Sequence, residues 1–147
     1  MLLIEINMST HPALPALLVA ATMTGTAWAQ SNSNVVGWWY AADNQWQLRV
    51  VEMRPDGTAT LGTCIRAHPY DQVCAGAAKV KFHSTYELRG NQMWTTYDDG
   101  LKTIRTFVVT RPDPRSSLRK IKINDGPNNV FFAFEMPSPP PGGWISD

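Results

Sequence analysis

The chain has 147 residues, 44 % of them hydrophobic and 17 % charged, with a formal net charge of +1 at neutral pH. That length and apolar content suit one globular domain, and the 10 glycines and 11 prolines are too scattered for a fibrous repeat. A charge so near zero argues against the clustered Lys and Arg of a phosphate-backbone binder, so no nucleic acid partner is expected.

The first predicted element is an address. Residues 12–29, "PALPALLVAATMTGTAWA", are apolar and end in Ala27-Trp28-Ala29, the small-x-small pattern of a signal-peptidase site before Gln30. The stretch is broken by Pro12 and Pro15 and falls short of the roughly 20 apolar residues of a membrane-spanning helix, so removal is expected. The segment ahead of it carries Glu5 and no Lys or Arg, and a start at Met8 would drop that acid. No Cys follows the cleavage site to take a lipid, so no membrane anchor should remain after cleavage. The expected organisation is a signal helix over 1–29, a mature domain over 30–136 and a Pro-rich mobile tail over 137–147, in a periplasmic or secreted protein.

The mature chain reads as strands between turn signals. In chain order the candidates are 35–41, 45–53, 58–65, 79–88, 92–97, 101–110, 118–123 and 130–136. "VVGWWY" opens the first, where strand alternation sends Trp38 and Trp39 to opposite faces. In the second, Trp46, Leu48 and Val50 share a face. "RPDGT" at Arg54 then marks a hairpin. The third strand leads to "CIRAHPYDQVC", where Cys64 and Cys74 bracket a polar, Pro-containing loop. An oxidising compartment would join these two cysteines, and a loop this short makes the bridge worth about 3 kcal/mol. A bridged sulfur cannot act as nucleophile with His68, and the spacing is not that of a zinc knuckle, so no metal is expected.

"VKFHSTYEL" shows the clearest alternation, with Val80, Phe82, Ser84, Tyr86 and Leu88 on one face. "RGN" and "DDG" supply the next turns, and Asp98 and Asp99 fit there as turn formers better than as paired catalytic carboxylates. "RPDPRSSLRKIK" concentrates Arg111, Arg115, Arg119, Lys120 and Lys122, as a charged strand edge or a contact for an acidic partner. "VFFAFEM" places Val130, Phe132, Phe134 and Met136 together, with Phe132 and Phe134 expected inward. The tail "PSPPPGGWISD" leaves Trp144 either loose or docked near Trp38.

Without helical periodicity outside the signal, this pattern predicts an all-β fold: an eight-stranded antiparallel up-and-down barrel, with a β-sandwich as the alternative. "VVGWWY", "MRPDGTATL" and "STYELRGNQMW" together resemble the lipocalin-like class of small exported meander barrels, and Gly37 with Trp39 matches the Gly-x-Trp that opens the first lipocalin strand. The resemblance implies that Trp39 plugs the closed end and that Gly37 lets the backbone bend past it.

The expected function is non-catalytic binding of a small apolar or amphipathic molecule in the barrel, with Trp38, Tyr40, Trp46, Phe82, Ser84, Tyr86, Trp94 and Phe132 as candidate contacts. Against this stands the plainer expectation of a barrel filled by its own side chains. The alternative function is a protein-interaction module, such as an inhibitor of an exported hydrolase, using the loop 65–73 with His68, Pro69 and Tyr70. No hydrolase, phosphate-loop or zinc-protease motif is present, so no catalytic residue and no cofactor are predicted.

Overall fold

A computed structural model describes residues 34–111 and 114–146. The predicted signal helix and its cleavage site lie outside the described residues. Eight antiparallel strands follow in order: β1 (Gly37–Ala42), β2 (Gln47–Met53), β3 (Thr58–Ile65), β4 (Ala78–Arg89), β5 (Gln92–Tyr97), β6 (Lys102–Thr110), β7 (Lys120–Asn124) and β8 (Val130–Glu135). Each pairs with its neighbours in the chain, and β8 pairs back on β1 through Trp39 opposite Glu135 and Tyr40 opposite Phe134. The sheet is therefore a closed up-and-down barrel and not a sandwich. Closure occupies the edges that a flat sheet of this size would expose.

Register decides which residues face inward. Trp39 lies opposite Val51, and Ile121 and Ile123 lie opposite Ala133 and Phe131. This reverses the expected face of β8: Phe131, Ala133 and Glu135 point into the barrel, while Phe132 and Phe134 pair with Lys122 and Lys120 on the outside. The physical reason is the partner strand, whose isoleucines alternate with lysines that must stay wet.

The foot of the barrel is packed by Trp39, Met53, Tyr86, Leu88, Phe107 and Ile121. A second apolar cluster lies outside the wall of β1, β2 and β3, built on Leu48, Val50, Cys64, Cys74, Ala78 and Met136. Leu48 and Val50 are fully buried there although they face away from the lumen. Their cover comes from the chain itself. Cys64 and Cys74 are joined, with their Cα atoms 5.7 Å apart, and this holds the loop after β3 against the wall.

The Pro-rich tail returns to the same wall. Its residues Trp144–Ile145 form β9, which runs parallel to the start of β4. Of the two placements open to Trp144, the docked one is found: its ring stacks on Trp38 with centroids 5.2 Å apart, and its Nε1 donates to Glu52 Oε2 at 2.8 Å. Gly62 makes room for this. A Cβ there would lie 1.8 Å from the Lys79 carbonyl oxygen and 2.7 Å from the Trp144 ring, at the place where the β3–β4 register shifts.

Two outcomes follow for urea unfolding. Gly62→Ala should lower stability by about 2 kcal/mol, because the added methyl must push backbone apart. Trp38→Ala and Trp144→Ala should be non-additive by about 1 kcal/mol in a double-mutant cycle, since both break one stack.

Candidate functional site

One end of the lumen is shut by an ion pair. Arg119, just ahead of β7, donates from Nε and Nη2 to the two oxygens of Glu135 at 2.9 and 3.2 Å, and its backbone N–H adds a third bond at 2.7 Å. The same guanidinium donates to the carbonyls of Asn34 and Val36 at 2.6 and 2.8 Å, and its Cζ lies 5.0 Å from the Trp39 ring centroid. Trp39 is 1 % exposed, and its Nε1 donates to the Val35 carbonyl at 2.8 Å. Gly37 sits under this knot with φ +139°, and a Cβ there would lie 3.2 Å from Arg119 Nη2. Hydrogen bonds from Arg119 hold the Glu135 carboxyl below its ordinary range, against the opposing effect of burial.

Above this plug lies a cavity of about 110 Å³. Its walls are mainly apolar, formed by Trp39, Val51, Leu61, Met93, Ile123 and Ala133 among others, with Ser84, Thr95, Tyr97 and Arg105 as the polar contributors. Tyr86 offers only its ring, because its hydroxyl donates to the Arg54 carbonyl at the foot and burial raises its pKa. Arg105 donates from Nη1 to the Tyr97 hydroxyl at 3.3 Å, and its Nη2 lies 3.5 Å from Asp125 Oδ2. Its Nε is buried with no hydrogen-bond partner, as is the Thr103 hydroxyl two residues earlier on β6. An acceptor reaching that corner would satisfy donors that now go unpaired.

The predicted contact residues are not brought together. Ser84 and Tyr86 line the cavity, and Phe82 stands beside it, half exposed, with its ring edge-on to Tyr97. Trp38 lies under Trp144, and Tyr40 is on the outer wall, 5.7 Å from Phe134 between ring centroids. Burial raises the Tyr40 pKa, with the Arg66 guanidinium opposing. Trp94 is outside on β5, capped by the Arg89 guanidinium 3.9 Å from its ring centroid. Trp46 and Phe132 are exposed and face solvent. Alternation assigned faces within single strands, but only Arg105 and Tyr97 meeting across β5 and β6 reveals the polar corner, and neither was singled out beforehand. An inward Arg at the centre of "TIRTF" was the available signal.

The disulfide-fixed loop is rigid and prominent. Arg66 Nη1 donates to the Asp71 carbonyl at 2.8 Å, and the Tyr70 hydroxyl donates to Gln45 Oε1 at 3.0 Å. Tyr70 holds a left-handed φ of 63° and is 74 % exposed, beside exposed Trp46 and Ile65. His83 and Asp98 meet outside the lumen, where Asp98 accepts the His83 backbone N–H at 3.1 Å. Asp99 accepts the Leu101 N–H at 3.0 Å, as a turn former does. Among the described residues no three His, Cys, Asp or Glu side chains converge to hold a metal.

Comparison with protein-family models, with curated proteins and with solved structures finds no match to this chain.

The Arg119–Glu135 knot gives a pH signature. The folded Glu135 carboxyl titrates below its ordinary value of 4.5, so the stability it contributes is complete above that value and is lost as the pH falls through the lower folded one. Arg119→Ala should cost about 2 kcal/mol at pH 7. That penalty should shrink at pH 3 as Glu135 takes up a proton, in urea titrations run at both pH values.

Proposed function

We propose that this protein is a non-catalytic binding protein of an oxidising, exported compartment, and that its barrel takes one small, largely apolar molecule with a hydrogen-bond-accepting end. The cavity between the Trp39 plug and the Arg105–Tyr97 corner is the observation that carries this reading. Size sets the ligand class. A cavity of about 110 Å³ is below the roughly 300 to 1,000 Å³ of pockets for drug-sized molecules, and below the roughly 150 Å³ of an apolar cavity that binds benzene. A short-chain or single-ring compound fits that scale with modest side-chain movement, and a long lipid chain does not. The resemblance to lipocalin-like barrels supports the same class of ligand. The Cys64–Cys74 bridge supports the compartment.

A second reading rests on Tyr70. A non-glycine residue held at positive φ and largely exposed, on a loop tied at both ends by the bridge, is a rigid contact element of the kind a protein-binding module presents. On that reading the partner is another exported protein, and Tyr70→Ala should abolish its capture while leaving the fold intact.

Native mass spectrometry of the protein purified from an oxidising compartment tests the first reading. The expected spectrum carries extra mass that disappears on denaturation, leaving a chain two hydrogens below its reduced value. Ala133→Phe, which fills the lumen, should lose the extra mass. A bare chain that also shows no thermal shift with short-chain and single-ring carboxylic acids, alcohols and ketones would overturn the reading.

A further inference from the structure

The barrel wall is asymmetric. The outer side of β1, β2 and β3 is covered by the tail and the disulfide loop, whereas among the described residues nothing covers the outer side of β6, β7 and β8. There Ile104, Val108, Val130, Phe132 and Phe134 are each between 37 % and 52 % exposed. Strand alternation should send such positions to solvent as polar residues, so five exposed apolar side chains on three adjacent strands form a patch that requires an explanation.

The charge on this wall has one sign. Its outward ionisable residues are Lys102, Lys120 and Lys122, and no Asp or Glu shares the outward face of these three strands. Asp125, ahead of β8, is engaged by Arg105, and Glu135, the inward-facing last residue of β8, by Arg119. Lys120 Nζ lies 4.4 Å from the Phe132 ring centroid and 5.9 Å from that of Phe134, so cation and aromatic are interleaved on one surface.

We infer that this wall docks the protein on an anionic lipid surface, with the lysines at the headgroups and Phe132, Phe134, Val108 and Ile104 entering the acyl boundary. Charge complementarity selects an anionic occupant. The apolar residues beside the lysines select one with an apolar layer directly beneath its charge, which a bilayer has. Shape points the same way. The outside of a closed barrel offers no free edge to which a strand could add on this wall, the hollow lined by Ile104, Thr106, Asn124, Gly126 and Pro127 lies at its end beside the β7–β8 turn, and a bilayer deforms to meet such a surface. Lys120 already occupies the face of Phe132, which removes that ring as a stacking platform for a sugar. Such docking is peripheral and reversible, because no apolar element on this wall is deeper than a side chain.

The test is flotation of the full chain with vesicles of phosphatidylcholine alone and of phosphatidylcholine mixed equally with phosphatidylglycerol. The protein should float with the anionic vesicles only, and added salt should weaken the association. Lys120→Glu with Lys122→Glu should reduce partitioning by roughly tenfold or more. Phe132→Ser with Phe134→Ser should keep binding at low salt but release at a lower salt concentration than the parent. Lys81→Glu, on β4 at the opposite side of the barrel, should change nothing, and near-UV circular dichroism checks that each variant is folded. Failure to float with anionic vesicles overturns the inference. So does an equal loss for Lys81→Glu, which would mean unspecific attraction. Binding to polyglutamate without vesicle flotation also overturns it, in favour of an acidic protein partner.

Discussion

The fold depends on one guanidinium. Arg119 binds both oxygens of Glu135 on β8, two carbonyls of the segment leading into β1, and the face of Trp39. In one residue it ties the start of the barrel to its end. An arginine suits this position because its planar fork meets the carboxylate at two points while its flat face lies on the indole, and a lysine offers neither. With the barrel closed this way Trp39 is committed to the lumen, and strand alternation then forces Trp38 and Tyr40 outside.

That commitment explains much of the outer architecture. Large aromatics turned outward on β1 need cover, and the chain provides it with the stack of Trp144 on Trp38 and with the bridged loop beside Cys64 and Cys74. The close approach at Gly62 shows how tightly that cover is fitted. Two apolar layers thus share the same strands, one inside the barrel and one outside it, on β1, β2, β3 and the start of β4. Among the described residues the remaining wall, on β6, β7 and β8, has no such cover, and the ionisable residues on the outward face of these strands, beside its exposed phenylalanines, are lysines.

Inside, the plug and the packed foot consume most of the bulky residues, which leaves a small lumen. Its polar corner is formed by a few side chains on β5 and β6. Tyr97 and Arg105 offer donors, Tyr86 has its hydroxyl turned away to the foot, and the acids of the hairpins stabilise turns outside the cavity.

The sequence by itself determined the all-β class, the strand count of the barrel, the near positions of the strands and the pairing of Cys64 with Cys74. It could do so because alternation, turn residues and cysteine spacing are local properties that act over a few residues. It also placed Ser84 and Tyr86 on the lumen face of β4. What the tertiary structure alone decided was register. The isoleucines of β7 turned Phe132 and Phe134 outward, the closure of β8 on β1 brought Arg119, just ahead of β7, over Trp39, and the return of the tail supplied a ninth strand. Each of these depends on which residue lies opposite another on a partner strand, from 8 positions away for Ile123 and Phe131 to many tens for the closure of β8 on β1, and a periodicity that is satisfied equally well by either face carries no record of that choice.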